Sequence, residues 1–309
     1  MGTSFSGNRA DSLVLSLGPG IAYSIAAALV WGTYIFVLKR YFADYPGTVL
    51  TVGVNAAAIA WYVPIAVLSG ASLGTLSGAT ALVEGPSALF VSLTTILLTA
   101  AAFLAFLRAI GAGEVSYVAP ISKIIPVFVL PIEVLLLGQR LAPVAVVGVA
   151  VATLAVYVAN YRAGSLLDPL RKASSSRAAQ LALVSAACYG VSDVGKRVVL
   201  QGLGVPLTLW VPILLGGVLL VVLPLAAREW VPLRADLPRF ALAGGGVALG
   251  EHVTSLAFAA APASIASPII NTQAVVAVVL GGVLLREEAF RIRLVAAGLA
   301  VAGVGLIAA

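Results

Sequence analysis

Apolar runs follow one another along the whole chain, with short polar connections between them. We place ten of them at residues 21–38, 47–68, 88–109, 115–137, 143–161, 178–196, 206–226, 238–259, 264–285 and 292–308. Crossing a bilayer takes roughly 20 apolar residues per helix, and lipid admits only helices or closed barrels. The runs lack the alternation that barrel strands show. The sequence therefore predicts an all-α integral membrane protein with ten transmembrane helices.

Composition excludes a soluble protein. Of 309 residues, 61% are hydrophobic and 10% are charged, whereas soluble domains carry about 25% charged residues. The net charge of +6 does not indicate nucleic acid as a partner, because the basic residues lie at the ends of apolar runs, where headgroups and orientation account for them. The one cysteine, Cys188, excludes an internal disulfide and a cysteine metal site. We expect no metal and no cofactor.

The segment from residue 113 to 140 occurs twice. A shift of 148 residues lays it without a gap on 261–288 and pairs Ser116 with Ser264 and Pro120 with Pro268. Lys123 and Asn271 then lie at the same depth of an apolar run. With five spans in each half, the two copies must cross the membrane in opposite directions. We therefore predict two inverted five-helix repeats around a central cavity, the design of many transporters.

The polar stretches divide the chain into four parts. We predict a polar N-terminal tail at 1–20, a first five-helix repeat at 21–161, a connecting loop at 162–177 and a second repeat at 178–309. The loop contains the most polar sequence of the chain, RAGSLLDPLRKASSSR. Most basic residues lie on its side of the membrane, so the positive-inside rule predicts a cytoplasmic loop and external termini.

The end of the repeated span carries a resemblance to a known family. Its first copy ends in Gly138-Gln139-Arg140 and its second in Arg286-Glu287-Glu288, each followed by a short closing span rich in Gly and Ala. Together with the proline near the start of each copy, this pattern resembles the EamA branch of the drug/metabolite transporter superfamily. The aromatic-amino-acid exporters of that superfamily are similar in size and layout. The resemblance implies ten helices, two inverted units and a substrate cavity between them. It also implies cytoplasmic termini, against the charge count. Gln139 departs from the glutamate that the family often has there.

Ionisable groups inside spans are expensive and therefore indicate function. Lys123 lies roughly 12 Å along its span at 1.5 Å per residue, too deep for its ammonium to reach the membrane surface easily. Glu251 and His252 lie past the middle of the eighth span. An ion pair between Lys123 and Glu251 is the structural alternative, and His252 is as readily a packing histidine as a proton carrier.

These considerations give a set of candidate site residues. For substrate binding we name Lys123, Ser122, Asn271, Gln273, His252 and the aromatic residues Trp31, Tyr34, Tyr117 and Tyr189. For proton coupling we name Glu251, His252 and Asp193. The aromatic residues fit either a substrate wall or an interfacial belt. Asp193 also fits a helix-end ion pair with Lys196 or Arg197, three and four residues away.

The predicted function is export of small metabolites across an inner membrane by alternating access. The resemblance makes amino acids, particularly aromatic ones, the leading substrates, with drugs, nucleosides and other metabolites as alternatives. A single histidine and no HExxH motif argue against a membrane enzyme. A non-transporting scaffold would be expected to show long soluble segments for its partners. We expect the small-molecule substrate and the lipid bilayer as partners, and a functional monomer.

Overall fold

A computed structural model of the protein describes residues 18–42, 44–70, 78, 80–112, 122–159, 176–284 and 290–308. These residues contain helices and no strand. The α-helices of the described chain are α1 (Pro19–Tyr41), α2 (Gly47–Leu68), α3 (Pro86–Ala112), α4 (Ile125–Leu135), α5 (Pro143–Ala159), α6 (Arg177–Arg197), α7 (Leu207–Ala226), α8 (Leu237–Ala260), α9 (Ala263–Asn271), α10 (Gln273–Leu284) and α11 (Phe290–Ala308). A π-helical turn, Val198–Gly202, continues α6.

The helices confirm the ten predicted spans. Each of α1 to α8 lies in one span, with α4 in the second half of the fourth, while α9 and α10 share the ninth and α11 lies in the tenth. Within the described residues, α1, α2, α3 and α7 are each long and apolar enough to cross a membrane by themselves. The helices α6 and α8 are less apolar, because they carry Asp193, Lys196 and Glu251 inside their length.

Local sequence explains where several helices begin. Pro19, Pro86 and Pro143 start α1, α3 and α5, where a fixed φ suits the first turn and the missing N–H costs nothing. Ser176 caps α6, since its Oγ accepts a hydrogen bond from the Ala179 N–H at 3.4 Å. Because each span crosses the membrane once, consecutive spans run in alternating directions through it.

Packing between the helices follows a two-fold relation between α1–α5 and α6–α11. The first helix of each half packs on the third helix of the other, α1 on α8 and α6 on α3. Counterparts pack on each other at two places, α2 on α7 and α5 on α11. The fourth spans also meet, through α4 and α9. An exchange of the two halves therefore preserves the pattern of contacts, as the predicted inverted repeat requires.

Glycines let α5 and α11 approach closely. A Cβ on Gly148 would lie 2.7 Å from the backbone nitrogen of Ile307, and one on Gly303 would lie 2.6 Å from that of Ala152. Real Cβ atoms do not come so near, so each glycine permits a contact of backbone on backbone. Small residues serve this purpose between membrane helices generally.

Both fourth spans are broken at equivalent residues. The helix α4 begins at Ile125 after a turn at Lys123 and Ile124, and α10 begins at Gln273 after a turn at Thr272. Since 273 is 125 plus 148, the shift that relates the repeated segments also relates the breaks. Discontinuous helices of this kind mark the binding site in many transporters, because their free backbone groups line a cavity.

The breaks do not fall at the described prolines of the two spans. Pro126 lies in the first turn of α4, and Pro131 and Pro268 lie inside helices, while Pro120 lies outside the described residues. In the second copy the chain turns at Thr272, four residues after Pro268. The Thr272 N–H donates to the carbonyl of Ile269, three residues back, at 3.1 Å, which ends the α-helical pattern.

Candidate functional site

A cavity of about 1150 Å³, counting the part open to solvent, lies between the two halves. It extends along α1 from Trp31 to Leu38 and along α3 from Thr99 to Leu107. Both helices run toward the same membrane face, so this part of the cavity lies in the half of the membrane next to that face. Residues of α2, α6, α7, α8 and both broken spans complete the lining. The cavity therefore lies where the predicted inverted repeat requires a substrate chamber.

An ion pair forms the deep side of the cavity. The Lys196 ammonium on α6 lies 3.1 Å from Oε2 and 3.5 Å from Oε1 of Glu251 on α8. The two side chains are 4% and 13% exposed. We considered an ion pair between Lys123 and Glu251, but the partner of Glu251 is Lys196. Removing one member of such a buried pair would leave the other charge uncompensated.

Asp193 lies on the same helix and bonds to the second repeat. Its Oδ2 accepts a hydrogen bond from Ser267 Oγ at 2.6 Å. Asn271 Nδ2 donates to the Ser267 carbonyl at 2.8 Å and lies 3.2 Å from Ser267 Oγ. The helix-end ion pair considered for Asp193 is absent among the described residues, since Lys196 pairs with Glu251 and Arg197 pairs with Glu133. Asp193 thus faces the cavity at the break of the ninth span.

Lys123 lies at the break of the fourth span and lines the cavity. Its ammonium lies over the ring of Phe106, 5.5 Å from the ring centroid, within range of a cation–π interaction. Among the described residues, no carboxylate oxygen comes within 4 Å of this ammonium. A cation without a counter-ion at this depth is available to an anionic group of a ligand.

Aromatic rings from α1 form one wall. The Trp31 Nε1–H donates to Thr254 Oγ1 at 2.9 Å, and the Trp31 ring meets the Tyr34 ring edge to face with centroids 5.5 Å apart. Two glycines of α8 make room for them. A Cβ on Gly250 would lie 2.8 Å from the Trp31 ring, and one on Gly246 would lie 3.4 Å from the Tyr34 ring.

The structure brings most of the predicted site residues together. Those that line the cavity are Trp31, Tyr34, Lys123, Tyr189, Asp193, Glu251, Asn271 and Gln273.

Three candidates lie elsewhere. His252 is not among the cavity-lining residues. Its Nδ1 lies 3.0 Å from the hydroxyl of Tyr62, a contact that favours the interpretation of His252 as a packing residue. Ser122 is buried beside Lys123 without lining the cavity. Tyr117 lies outside the described residues.

Lys196 was not predicted as a cavity residue. Counting along the chain placed it at the end of the sixth span, but the π-helical turn extends that helix beyond it. Its spacing of three residues from Asp193 was the available signal, since residues three apart share a helix face. Asn55 and Thr99 also line the cavity and carried no distinguishing pattern.

A second ionic cluster, which we call the latch, lies where the end of α4, the end of α6 and the start of α9 meet. The Glu133 carboxylate is fully buried and accepts hydrogen bonds from Arg197 Nη1 at 2.5 Å, Ala263 N–H at 2.8 Å and Ser264 N–H at 2.9 Å. Ser264 Oγ also donates to it, at 2.5 Å, and Arg197 Nη2 donates to Gln139. The N-terminus of α9 favours the negative charge.

The latch joins the two halves. Glu133 and Gln139 belong to the first, whereas Arg197 and the start of α9 belong to the second. Each bond must therefore break if the halves separate at this end.

The chain also matches a family model twice. The model of the EamA-like transporter family matches residues 18–161 and again residues 176–309. The chain belongs to the EamA-like transporter family. The two matched stretches correspond to the two halves of this EamA protein, while the exact limits of its repeats, at 21–161 and 178–309, stay a prediction.

Solved structures support the fold of this EamA protein. One solved chain, described only as "Crystal structure of protein", is 15% identical, and the alignment covers 94% of this chain and 97% of that chain with a TM-score of 0.72. At this identity the likeness shows the fold alone. The comparison with curated proteins finds no match. The EamA protein is thus a multi-pass membrane transporter of small molecules.

Proposed function

We propose that the protein exports amino acids, particularly aromatic ones, across the inner membrane by alternating access. The observation that supports this most directly is the Lys123 ammonium, which lines the cavity without a carboxylate within 4 Å among the described residues. A substrate carboxylate would supply the missing counter-ion, and charge-assisted hydrogen bonds are the strong ones in a site of low dielectric.

The other lining residues fit the remainder of such a substrate. Asn271 and Gln273 lie at the break of the ninth span and offer hydrogen bonds. Trp31, Tyr34 and Tyr189 supply an aromatic wall, against which a flat side chain would stack. We expect no cofactor.

Alternating access would come from one half rocking against the other. With the latch formed, the chamber is closed at the end where α4 finishes and α9 begins, and it extends toward the other end. Transport would require the latch to open and the cavity walls at the other end to come together. A single chain contains both halves, so we expect the monomer to function. Proton coupling through Glu251, His252 or Asp193 stays a prediction.

Uptake into liposomes containing purified protein tests the proposal. Wild type is first screened with the twenty amino acids, nucleosides and cationic drugs as competitors, since selectivity depends on pocket geometry rather than on fold. We expect an amino acid to be transported and Lys123→Ala to lower its initial rate by about tenfold or more, because a charge-assisted bond is lost.

Two variants serve as controls. Lys123→Arg keeps the positive charge and should retain part of the rate, and Arg40→Ala removes an exposed basic residue that does not line the cavity. If Lys123→Ala transports every amino acid as well as wild type does, Lys123 has no carboxylate role. If nucleosides or drugs raise the thermal stability of the purified protein and no amino acid does, those compounds are the better candidate substrates.

A further inference from the structure

Two of the four charged side chains that line the cavity have no ion-pair partner among the described residues. Within the described residues, the ionisable groups that could carry charge there are Lys123, Asp193, Lys196 and Glu251. Lys196 and Glu251 form an ion pair at 3.1 Å. Lys123 and Asp193 are then left as one cation and one anion, neither with an oppositely charged atom within 4 Å in the described chain.

Asp193 has accepting capacity to spare. Among the described residues, its one hydrogen bond is the one from Ser267 Oγ to Oδ2. An ionised carboxylate offers about four lone-pair sites on two oxygens, so the side chain can accept further donors. It is 9% exposed and lines the cavity, which means that a donor from a bound molecule can reach the cavity face of this carboxylate.

A second acceptor lies next to it in the hydrogen-bond network. Asn271 is 3% exposed, and its carboxamide oxygen is buried without a hydrogen-bond partner in the described chain. The assignment of this oxygen is constrained. Asn271 Nδ2 lies 2.8 Å from the Ser267 carbonyl, which only accepts, so the atom facing that carbonyl must be the nitrogen. The free atom of the carboxamide is therefore an acceptor that lacks a donor.

We propose that Asp193 binds the ammonium group of a zwitterionic substrate, with Asn271 beside it in the same hydrogen-bond network. This inference rests on the proposed function, which gives Lys123 the carboxylate. A charge without a partner is costly in a site of low dielectric. A simple carboxylic acid would bond to Lys123 and give Asp193 no direct cationic partner, whereas an amino acid bonds to both. The substrate class is thus α-amino acids, with an unmodified ammonium group.

Counterflow exchange in proteoliposomes tests the inference, because exchange needs no ion gradient and a residue used only for proton coupling would not slow it. The probes are L-phenylalanine and 3-phenylpropanoate, which lacks the amino group; if the screen finds another transported amino acid, it and its deaminated acid replace them. We expect wild type to exchange the amino acid about tenfold faster or more. Asp193→Asn should slow amino-acid exchange about tenfold or more without slowing exchange of the deaminated acid.

Other variants separate this result from a loss of structure. Ser267→Ala keeps the Asp193 charge and removes one donor to it, so discrimination between the two probes should survive. Lys123→Ala should slow both probes. If Asp193→Asn slows both equally, or slows neither, Asp193 does not read the ammonium group, and the proposed function stands on Lys123 alone. If no amino acid exchanges at all, the proposed function fails and this inference with it.

A measurement on wild type keeps the test independent of any variant that fails to fold. N-acetyl-L-phenylalanine keeps the carboxylate and the aromatic ring but has no ammonium group. It should compete for L-phenylalanine exchange about tenfold more weakly than unlabelled L-phenylalanine does. Equal competition by the two would overturn the inference.

Discussion

The first helices of the two halves end alike in sequence and differently in structure. Lys39 and Arg40 lie in the last turn of α1, and Lys196 and Arg197 lie in the last turn of α6. The guanidinium of Arg40 in α1 lies over the ring of the neighbouring Tyr41, 5.6 Å from its centroid, and the residue is exposed. Arg197 in α6 instead bonds to the buried carboxylate of Glu133. One arginine is held by its own helix and the other by the opposite half of the protein.

The repeated segment explains the difference. A shift of 148 residues places Gly281 where the first copy has Glu133, so the second copy has no carboxylate to offer at the equivalent place. The duplication has preserved the scaffold, with matching helix contacts and matching breaks, while the two ends of the chamber have diverged. A buried ionic cluster at the Arg197 end should favour the state in which that end is shut.

The largest effect is expected at the latch. Glu133→Ala would leave Arg197 without its carboxylate and two buried N–H groups, those of Ala263 and Ser264, without their acceptor. Removing one partner of a buried ion pair typically costs about 3 to 5 kcal/mol. We expect the free energy of unfolding in detergent micelles to fall by an amount of this order. Amide hydrogen exchange at the start of α9 should accelerate more than exchange in α11.

A variant at the other end provides the comparison. Asp236→Asn breaks the ion pair with Arg239, whose side chain is 59% exposed, and exposed pairs contribute about 1 kcal/mol or less. If Glu133→Ala proves no more destabilising than Asp236→Asn, the two ends are energetically alike and the asymmetry has no consequence for the conformational equilibrium.

The contact of α5 with α11 has stayed symmetric, and it predicts the next largest effect. Gly303→Ala would place a Cβ 2.6 Å from the backbone nitrogen of Ala152, and backbone cannot move aside as a flexible side chain can. We expect a loss of about 1 to 3 kcal/mol, typical of overpacking, measured by unfolding in micelles.

Gly298, on the same helix, has open space where a Cβ would lie. Gly298→Ala should therefore be neutral or stabilise by up to about 1 kcal/mol, since alanine is the better helix former. Equal stabilities of Gly303→Ala and Gly298→Ala would show that α5 and α11 do not make this close backbone contact at Gly303.

The sequence predicted the scaffold well because each of its signals is local. Apolar runs of spanning length mark the helices, and a repeated segment within two five-span halves implies inversion. Lys123 and Asn271 could be assigned to the cavity because polar groups at mid-span are too costly to face lipid.

Partnerships between distant segments were not predictable in this way. Glu133 and Ser264 are 131 residues apart, and no sequence pattern around either residue indicates that the two are in contact. Lys196 was assigned to a helix end because the π-helical turn that extends α6 has no clear sequence signature. His252 illustrates the remaining ambiguity, since adjacent residues of one helix point about 100° apart, and only Glu251 of the two lines the cavity.

The smallest effect is expected for the hydrogen bond between Tyr45, in the connection between α1 and α2, and Asp236, just before α8. Tyr45 donates a hydrogen bond to Asp236 Oδ2 at 2.7 Å, and this bond to a carboxylate raises the pKa of the Tyr45 hydroxyl above its ordinary value of 10.0. A raised pKa in the folded state means that the protonated hydroxyl stabilises the fold below about pH 10, the unfolded value, and that this contribution disappears as the pH rises through the folded value. Tyr45→Phe has no such group to titrate. We expect the thermal midpoint of wild type to fall slightly more between pH 8 and pH 11 than that of Tyr45→Phe, and parallel curves would show that this bond contributes nothing to the stability of the fold.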